Sequence, residues 1–477
     1  MATGLVCLLF IADNCPAQDD YWSVSAANWM QYWYFKDSTS SDEARRDSLD
    51  NRFIVDFNLG DFYTGIWLKS LQLNRPDESS EEIAQRYLGW HQNGFNIHAG
   101  NFYQVFDKGL TLNAFLDDAV YYDNNLDGIK ISGLYDYFDF DFLSARGLTR
   151  TTGERDYVLR GARGAVRPLD PFSIGFSYVR FKRNDMNINR SLNSNITGLN
   201  SQFVIGPLDL YGEYALRRGK KPDPFTEGNG DGTYLSASMV FEKISLFSEY
   251  KNIINLVYPY PQNRFNAPPP VSHSGRTLTD IAGVPGERGY QVGTLISPTF
   301  DLNFEFSYSE AFSRDAVIDY YLGEKFAGIR LSAISDLVIN YSFDRIDFTF
   351  GFAEEDEIEN YFDVYYYFNY DVTFSAAIYS RHFILKESDD YNEDYFTYGL
   401  GIANKLQLNL GGSKSNRESI PFGDPKKLAF IELTVRFPNH ELVIFNGGER
   451  GGLICSSGIC QTRPTFQGTR IVLFSRF

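Results

Sequence analysis

The chain has 477 residues, 16% of them aromatic with 41 Phe and 32 Tyr, and a formal net charge of -17. Its mean hydropathy of -0.30 and its longest apolar run, Gly4 to Ala12, exclude a helical membrane protein, whose spans need about 20 apolar residues. The acidic balance offers no electrostatic footprint for nucleic acid, and the mix of Phe, Tyr, Gly, Asn and Thr favours strands over helices.

In chain order, residues 1–17, MATGLVCLLFIADNCPA, combine an apolar stretch with a small-residue exit at Pro16-Ala17-Gln18, the pattern of a secretory signal peptide. Met1-Ala2-Thr3 lacks the usual basic residue, and a buried first strand is the alternative reading. Cleavage after Ala17 would remove Cys7, Cys15 and one charged residue, Asp13, leaving a net charge of -16. Residues 18–477 then read as one all-β unit that begins pairing near Trp22. The only helical stretch expected is a short one near Ser40 to Leu49.

Strict alternation carries the fold assignment. Phe172, Ile174, Phe176 and Tyr178 share one parity, as do Leu302, Phe304, Phe306 and Tyr308 opposite Asp301, Asn303, Glu305 and Ser307. The same holds for Ile346, Phe348, Phe350 and Phe352, for Val372, Phe374, Ala376 and Ile378, for Leu406, Leu408 and Leu410, and for Ile431, Leu433, Val435 and Phe437. Each set lies on one face of a strand. Short turns such as Asn58 to Gly65 and Phe437 to Glu441 alternate with long polar connections, including Leu73 to Ala84, Arg217 to Gly232, Leu385 to Tyr395 and Gly412 to Lys427. That rhythm predicts a single closed antiparallel transmembrane β-barrel of about 22 strands (range 18 to 26), apolar outside and polar within. The Pro-rich segment at about 255–289 cannot continue a ladder and is expected to constrict or partly plug the lumen.

Candidate chemistry is sparse. Asp123 to Gly128 (DNNLDG) matches half of a calcium loop, but Leu134 occupies the position that needs a bidentate Glu, so a tight turn between strands is the better reading. His91, His98, His273, His382 and His440 form no H-E-x-x-H, and no G-x-S-x-G or Walker sequence occurs. No catalytic residue, metal site or cofactor is expected. Cys455 and Cys460, spaced C-x4-C before the last strand, suit a disulfide in an exported chain, with a free thiol pair or a metal site as alternatives. Between Arg146 and Lys221 lie 14 basic and 6 acidic residues. Arg146, Arg150, Arg155, Arg160, Arg163 and Arg167 could line the lumen as a basic wall favouring anions, or sit at strand ends facing water or headgroups. The expected role is passage of small polar solutes, with a non-conducting, partner-binding scaffold for a surface, secretion or electron-transfer assembly as the alternative.

The last ten residues, GTRIVLFSRF, resemble the closing strand by which bacterial outer-membrane barrels engage their barrel-assembly machinery, with Ile471, Leu473 and Phe477 on one parity and Ser475 departing from the pattern. Gly100 to Phe115 with the following NNLDGIKI, and Glu449 to Pro464, resemble a poorly characterised porin-like family of outer-membrane barrels of Bacteroidota and their relatives. The resemblance implies a barrel surrounded by outer-membrane lipid, and it carries no activity with it.

Overall fold

A computed structural model describes residues 22–477 except 37–44, 74–78, 121, 149–154, 156, 186–189, 220–228, 258–264, 282–283, 315–318, 335, 351–352, 370, 387–388, 418–425, 457–458 and 464. The expected signal peptide lies outside the described residues. Twenty-four antiparallel strands form one sheet, each pairing with its neighbours along the chain. The last strand, Phe466–Arg476, pairs with the first, Trp22–Lys36, from Ala27↔Arg476 to Phe35↔Gly468, so the sheet has no free edge. Backbone bonds between Ala26 and Phe477 extend this seam in both directions, at 3.1 and 2.8 Å. Closure is what a sheet in hydrocarbon requires, because lipid offers no partners for backbone N–H and C=O groups.

Tight turns join the strands at one end, here the turn end. Asn93 and Gly94, with φ of 50° and 82°, make one such turn between Ser80–Gln92 and Phe95–Phe102, the Asn-Gly solution that matches strand twist. The opposite, loop end carries the long connections. Arg45–Leu59 is a strand throughout, which replaces the described part, 45–49, of the helix expected near Ser40 to Leu49, residues 40–44 lying outside the described ones; the strand pairs with Trp22–Lys36 over its full length and with Phe62–Leu73 on its other edge. No helix among the described residues is long and apolar enough to cross a membrane.

The outer surface carries the apolar parities. Ile174, Phe176, Leu199, Phe203, Leu210, Tyr214, Phe306, Phe374, Ile378, Leu410 and Ile431 are all exposed on it. In Phe172–Asp185 the outward set runs Phe172, Ile174, Phe176, Tyr178 and then Arg180, an apolar span of about 20 Å at about 3.3 Å per residue. An outward apolar band of about 25 Å is the mark of a transmembrane barrel. Ile346 and Phe348 break the expected pattern. Ile346 is 1% exposed and faces inward with Leu322 and Ala311, while Arg345 and Asp347 face out. Alternation separates the two faces of a strand but does not say which is wet.

Candidate functional site: an occupied lumen

Two connections from the loop end turn back into the barrel. The first, 103–125, leaves Phe95–Phe102 and returns at Leu126–Leu134. The second, described at 255–257, 265–281 and 284–285, leaves Ile244–Ile254 and returns at Gly286–Thr299. They pair with each other. Asn113 N donates to Phe265 O at 2.6 Å, Ala267 N to Gly109 O at 3.0 Å, and the Asn266 amide to Leu110 O at 2.8 Å. Gly109 sits at φ +88°, and a Cβ there would come within 2.6 Å of Ala267 O, so this crossing demands glycine.

Against the barrel wall the paired segments build an apolar core. Phe106, Leu110, Leu112 and Phe265 are 0% exposed and pack with inward-facing Leu143, Leu159, Val179, Phe181, Ile196 and Ile253. The wall makes room with small residues. A Cβ at Gly147 would meet Phe265 at 2.3 Å, at Gly198 Thr111 at 2.7 Å, and at Gly232 Leu256 at 2.4 Å. Here the inner face of a barrel is a protein core, with the inserted chain supplying the second layer.

Polar anchors surround that core. Asp107 accepts from Arg163 Nε at 2.7 Å; Arg163 and Arg167 both bond Asp139, and Arg163 lies 3.7 Å from Asp141. Burial pushes the Asp107 carboxyl above the ordinary range, opposed by the Arg163 guanidinium. Glu213 accepts from Lys108 N at 3.0 Å and from the Tyr211 hydroxyl at 2.8 Å. Thr111 donates to Ser177 Oγ at 3.0 Å, and Arg217 to Val257 O at 3.2 Å. Lys251 and Glu287, 2% and 1% exposed at their side chains, form an ion pair at 2.9 Å where the second segment leaves and rejoins the wall.

The remainder of the second segment meets a different wall. Glu324 accepts from His273 N at 2.6 Å and Ser274 N at 2.8 Å, and the His273 ring stacks on Phe326 at 3.5 Å. Arg276 donates to Glu357 at 2.9 Å; Arg381 binds the same carboxylate and lies 3.4 Å from Glu359. A cavity of about 380 Å³ opens beside these groups, lined by His273, Ser274, Arg276, Ser342, Asp344, Glu359, Tyr361 and Tyr379. Such a polar, aromatic-walled recess can hold water or a small hydrophilic solute. Among the described residues no group of His, Cys, Asp and Glu could hold a metal ion.

The six arginines do not lie together. Inward positions of Tyr157–Leu169 are the odd ones, as Gly161 facing Phe106 shows, so Arg163 and Arg167 face the lumen while Arg160 faces out. Arg146 is outward on Phe138–Gly147. Arg155 stands above the loop-end rim, donating to Asn125 Oδ1 at 2.6 Å, and Arg150 lies outside the described residues. Asp123 to Gly128 is no turn between barrel strands. Asp123 to Asn125 end the first inserted segment and Leu126 to Gly128 open a barrel strand, with Asn124 bridging Phe115 N and Asn113 O and with Asp123 accepting from Asn125 N. Those bonds hold the inserted segment in shape, so the local asparagines serve the plug. Cys455 and Cys460 stand directly opposite in a two-stranded ladder, Gly452–Ser456 with Ile459–Arg463; their side chains lie outside the described ones. Ile471 and Leu473 fall in outward rows with Ile444 and Tyr32 and with Leu442 and Met30.

The inserted anchors Asp107, Lys108 and Thr111, and their wall partners Ser177, Glu213 and Glu324, were not anticipated from the sequence. A signal was present in GNFYQVFDKGLTLNAF, whose apolar residues never sustain the ten-residue alternation of a barrel strand.

A closed barrel with an outward apolar band and chain folded into its lumen is the architecture of large transmembrane β-barrels. The chain belongs to a family of unknown function (DUF6029), whose model matches residues 1–267. No curated protein matches it. Among solved structures, a chain of the Escherichia coli P pilus tip assembly intermediate PapC-PapD-PapK-PapG is similar in fold, with a TM-score of 0.56 at 10% identity over 97% of this chain and 62% of that one. The siderophore receptor PirA of Pseudomonas aeruginosa gives 0.49 at 7% identity over 95% and 80%, and OccD3 (OpdP) of the same organism 0.43 at 11% over 69% and 87%.

Proposed function

We propose that this protein is an outer-membrane channel for small polar solutes, gated or narrowed by the inserted segments 103–125 and 255–285. The observation that carries this reading is the division of the lumen. One arc of wall is glued to the insert by apolar packing, and the facing arc stays hydrophilic around a cavity of about 380 Å³. Passage along a polar wall needs no tight binding and no chemical step. Export through the 1–17 signal peptide and a Cys455–Cys460 disulfide belong to the same proposal. Directly opposed residues in an antiparallel ladder have Cα atoms about 4.5–5.5 Å apart, within disulfide range, and thiol alkylation with and without reductant tests the bond.

Any anion preference would rest on Arg163 and Arg167. Both are paired with carboxylates, so we propose weak selectivity at most. The deciding measurement is conductance of the full chain in planar bilayers. Small steps are expected from the native protein and larger ones from a variant carrying Phe106→Ala and Phe265→Ala. A folded, inserted barrel silent in both forms would sink the channel reading, and a partner recovered with it in fixed ratio would establish the scaffold.

A further inference from the structure

The exterior is unevenly charged at the loop-end edge of the apolar band. On the arc from Leu302 to Lys386 most outward charges near this edge are matched on the chain itself, Arg314 having no such partner among the described residues. Glu310 accepts from the hydroxyls of Tyr290, Tyr308 and Tyr321 at 2.8, 2.5 and 3.2 Å. Arg345 lies 2.7 Å from Asp347 and 2.8 Å from Asp356, and Lys386 lies 2.8 Å from Glu354.

The arc from Tyr157 to Gly219 differs. Arg160, Arg180, Lys182 and Arg218 all occupy outward parities, one step beyond Ala162, Tyr178 and Leu216. The ladder sets Arg160 directly opposite Arg180, places Asn195 beside Arg180, and places Arg218 beside Asn195. Lys182 is diagonal to Arg160, across from Val158. Like charges directly opposite in a ladder repel and destabilise the pair. Among the described residues these strands place no outward carboxylate next to them. The bordering acids are Asp127, opposite Arg146 and within 4 Å of Arg86 and Arg155, and Asp231, one strand beyond, opposite Leu216.

A cluster of cations at the rim of an apolar band, repelling one another and unmatched among the described residues, calls for an anion presented at that same height. Strands are about 4.8 Å apart, so Arg160, Arg180 and Arg218 span roughly 15 Å, the scale of a lipid headgroup and not of a single inorganic ion. The long loops and inserted segments mark this end as the extracellular one in the channel reading. We infer that Arg160, Arg180, Lys182 and Arg218 form a docking site for the phosphorylated sugar headgroup of an outer-leaflet glycolipid, whose acyl chains lie along Phe176, Tyr178, Leu199 and Tyr214. This site rests on the membrane placement proposed above and adds a defined lipid to it. Guanidinium groups bind phosphate oxygens in bidentate fashion, and a desolvated rim strengthens the contact.

The test uses the full chain, purified and stripped of lipid, then mixed with phosphatidylcholine vesicles containing lipid A, a diglucosamine lipid with two phosphates, or its dephosphorylated form. Flotation reports insertion, and mass spectrometry of the intact complex reports bound lipid A. The native barrel should float with both vesicle types and retain lipid A only in the phosphorylated form. Arg160→Gln with Arg180→Gln and Arg218→Gln should float equally well and lose lipid A affinity by about a hundredfold. Arg345→Gln, on the matched arc, should retain it. Equal retention by the triple variant, or equal retention of the dephosphorylated lipid, overturns the site while leaving the membrane placement intact. Failure of the native barrel to float overturns both.

Discussion

Two arcs of the same barrel wall, sharing the same outward alternation, present different balances of apolar and polar side chains to the lumen. From Phe138 to Ile254 the inward set includes Leu143, Leu159, Val179, Phe181 and Ile196, none more than 5% exposed. From Gly286 to Leu385 it includes Glu287, Gln291, Ser307, Glu324, Asp344, Glu357 and Asp363, also buried but polar. The difference follows from what each arc faces. The first is covered by Phe106, Leu110, Leu112 and Phe265, so burial of apolar area rewards apolar side chains on both layers. The second meets charged parts of the insert and a polar cavity, with only a small apolar cluster of Ala311, Leu322 and Ile346 against Leu278 and Val284, so most of its buried groups are polar and several are paired with Arg276 and Arg381.

The comparison can be broken from either side. Phe265→Ala removes the ring at the centre of the apolar arc and should weaken docking of the insert by about 3–5 kcal/mol. Limited proteolysis within 103–125 should report this, and native resistance in the variant would deny the core its role. Lys251→Met removes the buried ammonium that pairs with Glu287 and should cost about 3 kcal/mol, measured by urea unfolding in micelles, while adding Glu287→Leu should restore most of it. On the polar arc, Arg276→Ala removes one of two guanidiniums on Glu357 and should cost about 2 kcal/mol, because Arg381 remains. A loss as large as that of Phe265→Ala would mean that the charged arc, not the apolar one, holds the insert.

The smallest expected effect is a pH dependence. The Asp107 carboxyl is pushed above its ordinary value when the insert is docked, so the docked state holds the proton more tightly than the undocked state. Docking is therefore strongest below the ordinary carboxylate range and weakens as pH rises through the raised value. Conductance should increase over that window, and Asp107→Asn should flatten the profile.

The barrel was legible because its outward face is uniform: Leu302, Phe304, Phe306 and Tyr308 read as a lipid-facing set whatever the lumen contains. The site was less legible because it depends on strand phase and on contacts between segments more than a hundred residues apart. Arg160 and Arg163 differ in parity, which already separates them, but only the register with Phe138–Gly147 and Phe172–Asp185 tells which of the two is wet. Ile346 shows the same limit from the apolar side. The expectation that 255–289 enters the lumen followed from its prolines, whereas 103–125 carries none and offers only the weaker signal of broken alternation. Its identity as insert emerges only from the hydrogen bonds it makes to Phe265, Ala267 and Glu213.

The hairpin Gly452–Ser456 and Ile459–Arg463 reaches from the final connection to the first insert, where Arg463 donates to Ala119 O at 2.6 Å across 344 positions of chain. That bond links the first insert to the connection before the closing strand, so the two are positioned together. The first insert can pack on its own arc as soon as Phe181 and Ile196 exist, but its outer surface is covered only after the closing strand has found Trp22–Lys36. Removing that hairpin would uncover the loop-end side of the first insert, so the two segments shape the entrance together.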